Sequence, residues 1–169
     1  ANILQIENEY YSTVRPKQLL QGNEKPSVAL AQRGIAYVEL RSLDVNAFDP
    51  HGINSEQLHF LEVFMLFCLL QESPVLSSSE IGAIDENLLL VAHQGRKPGL
   101  DLRRGEEKIS LQDWAIELMN KMKGVARLLD SANFCENYFS SVKSQIASVF
   151  DPELTPSARM LSEMREDDE

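Results

Sequence analysis

The 169-residue chain has few cysteines, few histidines and no long apolar run, and each scarcity excludes a class of protein. Its two cysteines cannot form the disulfide framework of a small secreted domain and fit a reducing compartment better. Its cysteines and three histidines show no spacing that is typical of zinc ligands. No segment reaches the roughly 18 consecutive apolar residues that a membrane-spanning helix requires. These features predict a cytoplasmic protein that has no membrane partner.

Basic residues are also in the minority, because 16 lysines and arginines stand against 26 aspartates and glutamates. The net charge of −10 argues against a general nucleic-acid binder, which would carry a basic stripe. An anionic ligand is still compatible with this charge, since screening limits distant charges and local arginines act at close range. The length and an apolar content of 43% are sufficient for one domain with a real core.

The sequence does contain a predicted strand, residues 35–43, that has two chemically different faces. Because side chains alternate along a strand, Val38 and Leu40 share one face while Glu39 and Arg41 share the other. A carboxylate suits Mg²⁺, and the planar guanidinium, roughly 7 Å further along the strand, suits phosphate oxygens. The polar face therefore has the ligand types that a magnesium nucleotide needs, although a plain surface ion pair would give the same pattern.

A second predicted strand, residues 3–14, is divided in the same way. Its polar face carries Tyr11 and continues with Arg15, where the following proline ends the strand because it restricts the residue before it. Two strands of this kind predict an antiparallel sheet whose apolar side packs on helices and whose polar side lines a cleft.

After residue 54 the apolar period becomes helical. Capping boxes at Asn54 and Ser77 predict two helix starts, and Ser110 and Thr155 predict two more. A further helix is predicted over residues 132–149. The fold class is therefore α+β, with two antiparallel strands followed by a mainly helical bundle. Residues 1–44 belong to the sheet and residues 54–166 to the helical region of a single domain, 1–169.

Two expectations concern the apolar positions of these helices. The helix over residues 54–71 is apolar on nearly all sides, so it is predicted to be central, with Cys68 as an inert core thiol and His59 as a core histidine. The stripe at helical spacing in the next helix is also interpreted as core. It consists of Ile81, Ile84, Leu88 and Val91.

Three segments of the chain resemble the proteobacterial glutamate–cysteine ligases, which are also called γ-glutamylcysteine synthetases. They are Gln5–Tyr11 with Val14–Lys17, Arg33–Asp44 and Gly95–Leu100, and they occur in the family's order. The sequence departs from the family at Ala47, where proline is usual, and at Gln18, where a basic residue is common. The resemblance implies that the strands belong to a glutamine-synthetase-like catalytic sheet, and that the chain corresponds to the C-terminal part of a much longer ligase.

The resemblance implies an ATP-dependent reaction that joins the γ-carboxylate of glutamate to the amine of cysteine through γ-glutamyl phosphate, the first step of glutathione biosynthesis. The implied ligands are ATP, Mg²⁺, glutamate and cysteine, and the implied partner is the missing N-terminal part of the enzyme, without which we expect no activity. Glu39 matches a metal ligand, Arg41 matches the arginine that holds the transferred phosphate, and Tyr11 matches a residue of the cysteine pocket. Arg15 and Lys17 are candidate anion contacts for substrate binding.

Two other functions remain compatible with the sequence. The chain could be a non-catalytic interaction or regulatory module in which Glu39 and Arg41 form only a structural ion pair. It could also belong to a related ligase that joins a different amine to a carboxylate. Arg96 and Lys97 are either phosphate contacts from a loop or part of an exposed basic turn.

Overall fold

A computed structural model describes residues 12–167, which fall into two compact units, one ending at Val45 and the other beginning at Asn46. These residues form six α-helices and two small antiparallel sheets, which confirms the α+β class. The first unit holds β1 (Val14–Lys17), α1 (Pro26–Arg33) and β2 (Tyr37–Leu40). The second holds α2 (Ser55–Leu69), α3 (Ser78–Gln94), β3 (Asp101–Arg104), β4 (Glu107–Ser110), α4 (Leu111–Asn133), α5 (Asn137–Phe150) and α6 (Pro156–Asp167). Within residues 12–167, no helix combines the length and the apolar character needed to cross a bilayer.

In the first unit, β1 and β2 pair antiparallel with Val14 opposite Leu40 and Arg15 opposite Glu39. The predicted end of the first strand at Arg15 is wrong, because pairing continues through Pro16 to Lys17. A proline is tolerated in an edge strand, where its nitrogen does not have to donate a ladder hydrogen bond. The predicted part of this strand before residue 12, including Tyr11, lies outside the described residues.

The core of the second unit lies where α2, α4 and α5 meet. It consists of Val63, Phe67, Met122, Ala126, Tyr138 and Val142. Burying side chains of this size contributes roughly 1.5–3 kcal/mol each, so this cluster is the main source of the unit's stability.

One carboxylate, Asp130 near the end of α4, fixes the start of α5. Its two oxygens accept hydrogen bonds from the backbone N–H groups of Tyr138 at 3.0 Å and Phe139 at 2.9 Å. These N–H groups belong to the first turn of α5, where no intrahelical acceptor is available. A residue inside one helix therefore caps the next helix.

The structure confirms both predicted capping boxes. The Asn54 side chain accepts from the Gln57 N–H at 2.8 Å, and the Gln57 side chain accepts from the Asn54 N–H at 3.0 Å. Ser77 and Glu80 make the reciprocal pair at the start of α3. These local hydrogen bonds explain why the starts of α2 and α3 lie where the sequence predicts them.

Helix α2 belongs to the core, but the expectation that its apolar residues are buried on nearly all sides is wrong. Only Val63 and Phe67 are buried, because α4 and α5 pack against one side of the helix. Leu58 and Leu69 are exposed, and so is Cys68, which is therefore not a core thiol. Partial desolvation nevertheless raises the pKa of the Cys68 thiol. His59 is half-buried with its ring edge-on to a core tyrosine, at 4.9 Å between ring centroids.

The hairpin of β3 and β4 is a feature that the sequence analysis missed. Leu102 pairs with Ile109, and Gly105 occupies the turn with a φ of 64°, which a residue with a side chain rarely adopts. Leu102 of the hairpin is buried, and α3 packs against the β3 strand. Its strands have four residues each, too few for alternation to be recognised in the sequence.

The apolar stripe of α3 is a second correction. Its four residues were interpreted as core, but they are 40–49% exposed. They are Ile81, Ile84, Leu88 and Val91. The helix instead buries Ala83, because a different side of it contacts β3.

We expect Met122→Ala to lower the free energy of unfolding by about 2–5 kcal/mol, since the side chain is 2% exposed at the centre of the core. Leu128→Ala is the matched control on the same helix, because Leu128 is 60% exposed. Chemical denaturation of both variants measures the difference. Equal losses in the two variants would contradict this description of the core.

Candidate functional site

The register of β1 and β2 surrounds one carboxylate with basic side chains. Paired residues point to the same face of a sheet, so Arg15 and Glu39 lie on one face together with Lys17 and Arg41. The Lys17 ammonium lies 3.1 Å from Oε2 of Glu39, and Nε of Arg41 donates to Oε1 at 2.8 Å. Each carboxylate oxygen of Glu39 therefore has its own cationic partner.

Two backbone hydrogen bonds between the strands stabilise this arrangement. The N–H of Arg41 donates to the carbonyl of Thr13 at 2.8 Å, and the N–H of Ala36 donates to the carbonyl of Lys17 at 2.8 Å. These two bonds lie just beyond the paired residues at either end of the ladder. They keep Arg41 and Lys17 in the extended geometry that aims both side chains at Glu39.

The two cations determine the charge state of Glu39. Hydrogen bonding to Arg41 first, and to Lys17 second, holds the pKa of the Glu39 carboxyl below its ordinary value. The three side chains of this cluster are 30–38% exposed, so solvent screens the ion pairs. With Arg15 on the same face, the basic residues outnumber the carboxylate on the paired strands, in a chain whose net charge is −10. Such a face suits a phosphate or carboxylate ligand.

The structure brings together most of the residues that the sequence predicts for the site. Lys17, Glu39 and Arg41 are in direct contact, and Arg15 pairs with Glu39 across the strands. Tyr11 lies outside the described residues, so its place in the cysteine pocket stays a prediction.

The donor set fits a magnesium site only in part. Within residues 12–167, no group of three or more histidine, cysteine, aspartate or glutamate side chains could hold a metal ion. Glu39 offers one hard oxygen ligand of the type that Mg²⁺ prefers, and the remaining ligands have to come from water, phosphate or other carboxylates. Glu39 is thus suited to be one ligand of a shared site.

Arg96 and Lys97 lie in the second unit, in the loop after α3, and both are exposed. Nη1 of Arg96 is 4.0 Å from Oε1 of Glu153. The loop borders a cavity of about 390 Å³ that the start of α4 and the end of α5 also line. The sequence analysis did not foresee this cavity, because it depends on how the helices pack.

Comparison with known proteins places these features in a family. The sequence model of the glutamate–cysteine ligase family matches residues 1–91, which include Tyr11, Glu39 and Arg41 but not Arg96 and Lys97. The glutamate–cysteine ligase of Pseudomonas putida is 48% identical over 168 residues, and that of Pseudomonas paraeruginosa is 48% identical over 165. The chain therefore belongs to the glutamate–cysteine ligase family, which confirms the resemblance. It spans 32% of the length of the Pseudomonas putida relative and 31% of the other.

Solved structures agree with this placement. The crystal structure of a glutamate–cysteine ligase from Francisella tularensis in complex with AMP has a TM-score of 0.87 and 39% identity, covering 96% of this chain and 32% of that one. A bifunctional glutathione synthetase from Pasteurella multocida has a TM-score of 0.64 and 24% identity, covering 95% of this chain and 19% of its own. At 24% identity, this second similarity shows the fold alone.

We expect the Glu39 carboxyl to titrate below the ordinary glutamate value of about 4.3, because Arg41 and Lys17 favour its ionised form. The stabilisation from the ion pairs is then complete above the ordinary value and is lost as the pH falls through the lowered pKa. Arg41→Met should raise the pKa, whereas Arg33→Met should not change it, since Arg33 pairs with Glu24. Carboxyl ¹³C NMR measures all three proteins, and a Glu39 pKa that does not respond to Arg41→Met would refute the assignment.

Proposed function

We propose that this chain is part of an ATP-dependent glutamate–cysteine ligase that acts in the cytoplasm in glutathione biosynthesis. In the proposed reaction, the γ-carboxylate of glutamate attacks the γ-phosphate of ATP, and the cysteine amine then displaces phosphate from γ-glutamyl phosphate. The observation that carries the proposal is the cluster of Lys17, Glu39 and Arg41 on the paired strands. Family membership and the AMP complex of the Francisella tularensis relative support it.

Arg41 is the residue proposed to act on the transferring phosphoryl group. Glu39 accepts a hydrogen bond from Nε of Arg41, which orients the guanidinium plane on the polar face. The terminal Nη groups of a guanidinium match the spacing of phosphate oxygens, and their charge is permanent. Negative charge is redistributed over the phosphoryl oxygens during transfer, so a fixed cation contributes mainly to the transition state.

Glu39 is proposed to be one ligand of Mg²⁺, with Lys17 as a neighbouring contact for an anionic ligand. When it is bound, Mg²⁺ supplies charge neutralisation at the phosphate oxygens. Lys17 and Arg41 each contact one oxygen of Glu39, so a metal cation at Glu39 would share these oxygens with them or displace one of them. Lys17 is positioned to contact an anionic ligand once it leaves Glu39.

Arg15 and Tyr11 are proposed to bind substrate. Arg15 stands opposite Glu39 in the strand register, close enough to the cluster to contact a substrate carboxylate or phosphate. Tyr11 comes three residues before Val14, the first residue of β1, and is proposed to line the cysteine pocket. Glutamate, cysteine and ATP are the proposed ligands, and the rest of the ligase chain is the proposed partner.

One observation favours a second candidate, a non-catalytic module. Lys17 on β1 and Arg41, one residue beyond β2, both pair with Glu39, so the same contacts also fit a structural ion-pair network. A structural network of half-exposed side chains would contribute little stability and no catalysis. The two candidates therefore predict different effects of replacing Arg41: a loss of catalysis if it acts in the reaction, and only a small loss of stability if the ion pair is structural.

Arg41→Lys in the complete enzyme should lower kcat by about 100-fold, the scale of one lost preorganised contact, and raise the KM for ATP much less. Lysine keeps the charge but cannot reproduce the planar fork. Arg33→Lys is the matched control, because Arg33 pairs with Glu24 in the same unit. Steady-state kinetics with thermal melts separate the candidates, and a kcat unchanged by Arg41→Lys would exclude the proposed role.

The 169-residue chain alone should not make γ-glutamylcysteine. Glu39 is a single carboxylate, and no metal-binding group of three occurs in the part of the chain that the structure describes. A phosphoryl-transfer site needs more oxygen ligands than this. Product formation that depends on ATP, glutamate and cysteine, assayed by mass spectrometry, would contradict the expectation.

A further inference from the structure

Helix α3 is attached to its own unit by polar residues. The Asn87 side chain donates to the carbonyl of Arg103 at 2.7 Å and accepts from its N–H at 2.8 Å. The Arg103 guanidinium also contacts Glu86 at 3.0 Å. Asn87 thus acts as an additional backbone-like partner for the edge of β3, and Ala83 is the buried residue of the helix.

The apolar residues of α3 form a stripe on a different side. Spacings of three, four and three residues place them in one row along the helix. The row consists of Ile81 at 49% exposure, Ile84 at 42%, Leu88 at 45% and Val91 at 40%, and it is called the α3 stripe. An amphipathic helix normally turns its apolar side to its neighbours, but α3 buries only Ala83 and leaves this apolar row exposed.

The segment that leads into α3 also exposes apolar residues. Leu69 and Leu70 at the end of α2 are 79% and 61% exposed, and Val75 and Leu76 before α3 are 98% and 49% exposed. Large exposed apolar surfaces are rare on monomeric proteins and often mark sites that another polypeptide covers.

We propose that the α3 stripe is the surface through which the helical unit packs against the remaining part of the same ligase chain. The proposal rests on the proposed function, since it takes the chain to be part of a longer enzyme. The chain spans 32% of the length of its Pseudomonas putida relative, so a large amount of polypeptide is available to cover the stripe. The covering surface must be apolar, because the stripe offers no charged group and no hydrogen-bonding side chain.

A second copy of the chain is a less suitable occupant. A standard interface between separate proteins uses roughly 20–30 residues a side, and the α3 stripe with its leading segment offers eight. Association of two molecules also loses translational and rotational freedom, which packing within one polypeptide does not. A short apolar stripe therefore suits an intramolecular contact.

Cysteine labelling of the complete enzyme tests the proposal. Leu88→Cys and, independently, Ile84→Cys report on the stripe at 45% and 42% original exposure, and Leu128→Cys on α4, at 60%, is the exposed control. Maleimide labelling is mapped to individual peptides by mass spectrometry, so Cys68 and Cys135 can stay. Each rate is divided by the rate of the same variant in denaturant. We expect both stripe positions to react at least about 10-fold more slowly than the control, because the reagent then reaches them only after local opening.

Two outcomes would overturn the proposal. Stripe cysteines that react as fast as the control would show an uncovered surface, and protection that increases with protein concentration would show that a second copy covers it. Labelling does not depend on turnover. If the stripe is protected but the enzyme uses a different amine, the proposed function is rejected and the interface is kept. If the stripe is unprotected but the enzyme makes γ-glutamylcysteine, the interface is rejected and the proposed function is kept.

Discussion

The strand register of the first unit is the constraint on which the candidate site depends. Because side chains alternate, a slip of one residue between β1 and β2 would turn Lys17 away from Glu39. The two backbone bonds beyond the ladder, from Arg41 to Thr13 and from Ala36 to Lys17, hold the register where only four pairs are available. The backbone register therefore decides which side chains share the polar face, and the types of these side chains decide which ligands the face can bind.

Local rules predicted the elements that local interactions determine. The capping boxes at Asn54 and Ser77 satisfy N–H groups within three residues, so their positions could be read from the sequence. The alternation in β2 placed Glu39 and Arg41 on one face for the same reason. The predictions failed where burial depends on packing against elements that are distant in the sequence. Nothing in the composition of α2 says which side α4 and α5 will cover, and so the exposure of Cys68 was missed.

The same holds for the site: residue types and spacing were predictable, whereas contacts between residues distant in the sequence were not. Residue types and spacing indicated a carboxylate and a guanidinium that suit a nucleotide, and the family resemblance supplied their roles. The sequence could not show that Lys17 contacts the second oxygen of Glu39, because this contact crosses between strands. The cavity beside Arg96 and Lys97 depends on three elements that are distant in sequence, and it was not foreseeable either.

The hydrogen bonds of Asp130 have a consequence for the motion of the helical unit. Its carboxylate belongs to α4, yet it holds the first-turn amides of α5. When the last turn of α4 frays, those amides lose their acceptor, so their protection against hydrogen exchange ends at the same moment. The last turn of α4 and the first turn of α5 should therefore open together, on either side of the corner where Phe134 is almost fully exposed.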